Sequence, residues 1–179
     1  MLTPENTVLI VVDVQGRLAR VMCDREALFK NLQKLILGAQ ALEVPILRAE
    51  QNPKGLGPTV PEIDGLLPDS PPIGKMTFSC CGESRFAQAL EALGRKQVLI
   101  AGIETHVCVY QTAADLLNSG YEVHVVADAV SSRTAQNRQI ALDALRGLGA
   151  RLTGVEMALF EMLRVAEGDR FKAVLGIVK

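Results

Sequence analysis

Short runs of Val, Ile and Leu recur between longer stretches of helical period, and this alternation constrains the chain more than any other feature. The runs are Val8 to Val14, Pro45 to Ala49, Ile73 to Met76, Val98 to Ile103, Val123 to Ala127 and Arg151 to Val155. A strand that is apolar on both faces must be covered on both faces, which is the condition of a parallel sheet between two helix layers. Between the first two runs, Leu28, Leu32, Leu35, Ile36, Ala39 and Leu42 follow the i, i+3, i+4, i+7 spacing of one helix face, with Asp24 ahead as a cap candidate. Phe86, Leu90 and Leu93 before Gly94, and Leu116 and Leu117 before Gly120, mark two further helices closed by glycines suited to a left-handed C′ position. Ile140 to Leu148 and Leu159 to Leu163 supply two more. The pattern predicts an α/β chain, three-layered and doubly wound, with six parallel strands, helices on both faces and one domain spanning 1-179.

Size and charge narrow the function. At 179 residues the chain is long enough to bury a core without staples. Lys and Arg number 19 against 20 Asp and Glu, so there is no basic surplus for a phosphate backbone, and aromatics at 4% offer few platforms for stacking bases. Nucleic acid is therefore not the expected partner. The first apolar run is closed by Asp13 and is preceded by no basic segment, which reads as neither a signal peptide nor a membrane span. The four cysteines, Cys23, Cys80, Cys81 and Cys108, include an adjacent pair and form no C-x-x-C, so they read as free thiols of a cytoplasmic protein. With only His106 and His124 as histidines, and neither with a second partner at ligand spacing, a metal could be held only through carboxylates; no metal or other cofactor is expected.

One segment departs from the alternation. Positions 52 to 72 hold six of the eight prolines together with Gly55, Gly57 and Gly65, and predict an irregular loop of functional importance. The apolar C-terminal stretch, 170 to 179, predicts a segment that packs down or covers another copy.

The common phosphate and hydrolase signatures fail on spacing. Gly74-Lys75 is followed by Met76, not Ser or Thr, and Asp69 stands where a P-loop needs its first glycine. The turn after the first strand has one glycine where a dinucleotide fingerprint needs three, and no serine lies in a G-x-S-x-G elbow. A thiol remains. Cys108 follows the fourth strand and Gly102, in what reads as the first turn of a helix, where free N–H groups lower a thiol pKa and bind oxyanions. Asp13 ends an apolar run, an expensive place for a carboxylate without a partner, and Lys75 is the natural cation for it. In a sheet of order 3-2-1-4-5-6 the strands leading to Asp13 and Cys108 flank the switch point where ligands bind.

The segments VVDVQ at 11 to 15, GKMTFS at 74 to 79 and AGIETHVCVYQTAADLLNSGYEVHVVADAVSSR at 101 to 133 resemble the isochorismatase-like cysteine hydrolase superfamily over most of the chain. The resemblance implies a Rossmann-like sheet, oligomers of two or more copies, and a catalytic triad at Asp13, Lys75 and Cys108. It also implies a cis peptide between Ile103 and Glu104, an oxyanion hole made by the backbone N–H groups of Glu104 and Cys108, and a substrate pocket touched by Gln15 and Phe78. Amidase members of that family attack a carboxamide with the thiolate and release ammonia. Where its nicotinamidases carry an Asp-x-His metal site, this chain reads Arg48-Ala-Glu-Gln-Asn, which removes those ligands.

Two readings follow. One is a metal-independent cysteine hydrolase acting on a small amide or related C–N bond; the other is an oligomeric binding or scaffold protein that keeps the fold without turnover. Among bystanders, His106 is expected to be a turn or pocket-wall histidine pointing away from Cys108, His124 to be a hydrogen-bonded core or interface residue, and Asp128 with Arg133 to form a buried ion pair.

Overall fold

The first apolar run becomes strand β1 (Thr7–Val12), and all six of its residues are buried. The computed structural model describes residues 1 to 179. The other strands are β2 (Ile46–Gln51), β3 (Ile73–Lys75), β4 (Gln97–Ile103), β5 (Glu122–Ser131) and β6 (Arg151–Thr153). All pair in parallel, in the order β3-β2-β1-β4-β5-β6. This is the six-stranded, doubly wound order expected from the sequence.

The period-2 alternation of side chains divides each run between two helix layers. Leu9 and Val11 of β1, with Leu99 and Ala101 of β4, pack under α2 (Arg25–Ala41), α8 (Val155–Leu163) and α9 (Gly168–Val178). Val8, Ile10 and Val12, with Val98 and Ile100, pack on the opposite face under α5 (Ser84–Ala92), α6 (Tyr110–Asn118) and α7 (Ala135–Gly147). Each fully buried aliphatic side chain contributes about 1.5 to 3 kcal/mol, which offsets the entropy lost in ordering it.

Winding runs outward from β1 to β3, then returns to place β4 on the other side of β1. Connections on the two sides of that boundary leave in opposite directions, so a crevice opens above the carboxyl ends of β1 and β4. Close backbone approach here depends on Gly102, whose φ is +113°; a Cβ at this position would lie 2.1 Å from the Val12 carbonyl oxygen.

Several local expectations are corrected. β1 stops at Val12, before Val14, because Asp13 turns into the left-handed region with φ 53°. Asp24 precedes α2 but is itself left-handed, φ 50°, and its side chain makes no capping bond. The proline-rich segment contains two one-turn helices, α3 (Pro53–Leu56) and α4 (Pro61–Asp64), each opened by a proline where the helix needs no N–H. It is tied down by Arg48, which donates to Asp64 Oδ1 at 2.6 Å, and by Glu50 Oε1, which accepts from both N and Oγ1 of Thr59 at 2.7 Å. A further short helix, α1 (Gly16–Arg20), precedes α2. The C-terminal stretch packs down as α9, with Val174 fully buried and Lys34 Nζ donating to the Val178 carbonyl.

Candidate active site

Asp13 follows the last residue of β1, Lys75 ends β3, and Cys108 lies in a widened turn after β4, so parallel topology carries all three to the same end of the sheet. Lys75 is the register partner of Gln51 at the end of β2. Its Nζ donates to Asp13 Oδ2 at 2.7 Å, Gln51 Oε1 at 2.7 Å, and the carbonyls of Phe78 at 3.0 Å and Thr77 at 3.3 Å. The ammonium is thus satisfied on all sides with its side chain at 0% exposure. Asp13 is less well served: Oδ1 is buried and has no hydrogen-bond partner of good geometry.

The turn that carries Cys108, Thr105–Val109, is π-helical and continues into α6. The Val109 N–H reaches back five residues to the Glu104 carbonyl at 3.2 Å, which also accepts from Val107 N–H at 3.1 Å. A π turn of this kind is common at functional sites because it admits one extra residue into the turn. The peptide bond between Ile103 and Glu104 is cis. The Glu104 N–H donates to no acceptor within the protein.

Cys108 is 6% exposed, and its thiol lies beside Asp13. Burial pushes the thiol pKa up to about 12; the Asp13 charge and a hydrogen bond to Asp13 push the same way, against the opposing charge of Lys75. The sequence expectation of a thiol made acidic by a helix N-terminus is therefore corrected: at rest, desolvation and the neighbouring carboxylate outweigh the turn's N–H groups. Asp13 is also raised above the usual carboxylate range, because burial outweighs its hydrogen bond and charge pairing with Lys75. A carboxylate shifted upward is a stronger base, and this one faces a protonated thiol.

The remaining expected residues divide. Gln15 is fully buried and its amide is consumed by backbone: Nε2 donates to the Gln51 and Gly57 carbonyls, and Oε1 accepts from Gln51 N–H. It is a strut between β1, β2 and the proline-rich segment. Phe78 offers its carbonyl to Lys75 and leaves its ring 54% exposed beside the site. His106 is held by Ser132, with Nδ1 and Oγ 3.0 Å apart, and His124 is a buried partner of Glu122, both in accord with the sequence reading. Cys80 is fully buried, with its N–H on Thr112 Oγ1, and all four cysteines are free thiols.

The expected pair of Asp128 and Arg133 does not form. Asp128 lies inside β5 and accepts from Val155 N–H at the start of α8, whereas Arg133 Nε donates to Glu104 Oε1 at 3.0 Å. Sequence separation gave no hint of this contact, since Glu104 and Arg133 meet only because β4 and β5 are neighbours in the sheet. Gln51 was also missed; its signal was its place at the end of a strand beside the Lys75 strand. A surface cavity of about 670 Å³ lies elsewhere, lined in part by Arg20, Cys23 and Asp128. No helix is long and apolar enough to cross a membrane.

Residues 7–157 match the family model described as the isochorismatase domain. The chain is 40% identical over 182 residues to a secreted isochorismatase effector of Phytophthora sojae, an alignment covering 99% of this chain and 87% of that one. Against two fish relatives, each an isochorismatase domain-containing protein 1 from Danio rerio or Salmo salar, it is 37% and 38% identical and spans 62% of their length. Among solved structures, the MAR1 ribonuclease from Caenorhabditis elegans superposes with TM-score 0.93 at 35% identity, covering 99% of this chain and 91% of that one. The Escherichia coli YcaC gene product, an octameric hydrolase of unknown specificity, has TM-score 0.93 at 27% identity, covering 98% and 88%.

Proposed function

This chain belongs to the isochorismatase family, and within it we propose a cysteine hydrolase that cleaves a small-molecule amide or related C–N bond through a thioester on Cys108. The observation that carries the reading is the divided Asp13 carboxylate: Oδ2 is held by the fully buried Lys75, while Oδ1 is buried, unpartnered and on the carboxylate that neighbours the Cys108 thiol.

Chemistry follows from that division. As the sulfur attacks the carbonyl carbon, the thiol proton passes to Asp13 and the new S–C bond forms. Negative charge moves to the carbonyl oxygen, where the Glu104 and Cys108 N–H groups serve as the oxyanion hole. Asp13 then gives its proton to the leaving nitrogen, the C–N bond breaks, and amine or ammonia departs. Water attacks the thioester with Asp13 again taking the proton, which releases the acid and restores the thiol. Lys75 holds Asp13 in place and balances its charge at each anionic stage. A resting thiol pKa of about 12 suits this cycle, because deprotonation is coupled to attack and no stored thiolate is needed.

Gln15 and Phe78 shape the pocket, one by fixing its floor and the other at its rim. The cycle employs no cofactor or metal. The partners that go with it are a small-molecule substrate and further copies of this chain, in the cytoplasm. A non-catalytic binding protein is the second reading, favoured by the same high thiol pKa. A ribonuclease role, raised by the name of the C. elegans neighbour, would need cations free for phosphate, and Lys75 is already committed to four acceptors.

The test is ammonia release from a panel of small primary amides and carbamoyl compounds, with RNA as a parallel substrate. The parent is expected to turn over at least one amide, and C108S and D13N to lose at least about 100-fold in rate. A C108S protein that hydrolyses the amide at the parental rate overturns the mechanism; binding without product supports the scaffold reading.

A further inference from the structure

Glu104 occupies the N-cap of the turn that carries Cys108, yet its side chain makes no capping bond. A side-chain oxygen at an N-cap ordinarily takes the second or third N–H of the turn, and the positive end of the turn favours an anion there. Here the carboxylate, 10% exposed, is turned the other way: Oε1 accepts from both Nε and N of Arg133, at 3.0 and 3.2 Å. The Glu104 carbonyl is meanwhile fixed by Val107 and Val109, and the Glu104 N–H has no protein acceptor.

We propose that Arg133 is a positioning residue that draws the Glu104 carboxylate away from the turn, so that the backbone N–H groups above Cys108 stay open to a substrate oxyanion. This inference rests on the cysteine-hydrolase reading. Its physical content is competition. Without the Arg133 guanidinium, a nearly buried carboxylate keeps only the neutral backbone N–H at position 133 and no charged partner, and an N-cap side chain is placed to turn to the N–H groups of the turn it caps. It would then occupy the place of the oxyanion and set a negative charge against one developing on substrate. Arg133 is suited to prevent this because its own N–H and its guanidinium reach the same oxygen, while the rest of the side chain, 60% exposed, asks nothing of the core.

The test uses propanal, a small aldehyde, and iodoacetamide. Cys108 adds to propanal to form a hemithioacetal: the S–C bond forms, the carbonyl π bond breaks, and the thiol proton ends on the oxygen, which needs the open N–H groups. Iodoacetamide alkylates the same sulfur with loss of iodide and places no developing charge on an oxygen at the attacked carbon. The propanal concentration that half-protects Cys108 from alkylation, read by mass spectrometry, reports the oxyanion site; the alkylation rate without aldehyde reports the sulfur alone.

In R133A the half-protecting concentration is expected to rise on the order of tenfold, by more than any change in alkylation rate. In E104A/R133A, where no carboxylate remains to intrude, protection returns toward the parental value. An R133A protein protected as well as the parent overturns the proposal. So does a double variant no better than R133A, which would mark the pair as structural only. If propanal fails to protect Cys108 in the parent, the cysteine-hydrolase reading itself falls and this inference with it.

Discussion

At the amino ends of the strands, Glu122 of β5 lies among Gln97, His124 and Arg151, with the N-terminal amine 3.8 Å away. At the carboxyl ends, Asp13 meets a single cation and a protonated thiol. The hydrogen bond from Gln97, then those of His124 and the charge of Arg151, hold the Glu122 pKa down to about 2, whereas burial drives Asp13 upward and Cys108 to about 12. One end of the sheet gives its carboxylate more partners than it needs, and the other leaves an oxygen unpaired. A structural cluster lowers its energy by satisfying every group; a cluster meant to move a proton keeps one acceptor open and basic.

The comparison can be broken most forcefully at Lys75. K75M removes the only cation from Asp13 and is expected to lower stability by about 3 to 5 kcal/mol, because a buried charge is left alone. D13N/K75M, with neither charge, should unfold in urea within about 1 kcal/mol of the parent or at higher denaturant, while all turnover is lost. A double variant as unstable as K75M would show that this pair holds the fold together, and the contrast between the two ends would disappear.

A second effect concerns the thiol alone. Since the Asp13 charge and hydrogen bond both raise the Cys108 pKa, D13N should lower it and speed iodoacetamide alkylation at pH 9, by about tenfold for each unit of change, while slowing amide turnover. Opposite signs in the two assays would separate Asp13 as a base from Asp13 as a brake on ionisation. A fall in both would count against its role as the base.

The smallest effect lies at the opposite end. Glu122 is depressed in the fold, so its contribution to stability is fully present above the ordinary carboxylate value near 4.5 and is lost as pH falls toward about 2. E122Q should therefore cost up to about 1 kcal/mol at pH 7, since the group is partly exposed, and should flatten the loss of stability between pH 4.5 and 2. Equal acid sensitivity in parent and variant would remove Glu122 from the structural side of the comparison.

The legibility of the molecule differs between its layers for related reasons. β1 and β4 were readable because a strand buried on both faces has to be apolar throughout, and all thirteen of their residues are buried. Asp13 and Lys75 were readable as an interrupted apolar setting, and they do meet at 2.7 Å. The helices α3 and α4 escaped notice because proline counts against a helix interior but favours its first turn, and composition does not distinguish the two.

By itself the sequence determined the fold class, the order of elements and which residue types had to stand at the carboxyl ends of the strands, since burial and periodicity are written in local composition. Only the tertiary structure decided the protonation of Cys108 and the partner of Arg133. Desolvation depends on everything that surrounds a group, and the contact from Glu104 to Arg133 depends on which strands lie side by side. A helix-start position alone argued for an acidic thiol; enclosed beside Asp13, the same residue is held as a thiol, and its ionisation is coupled to the carboxylate next to it.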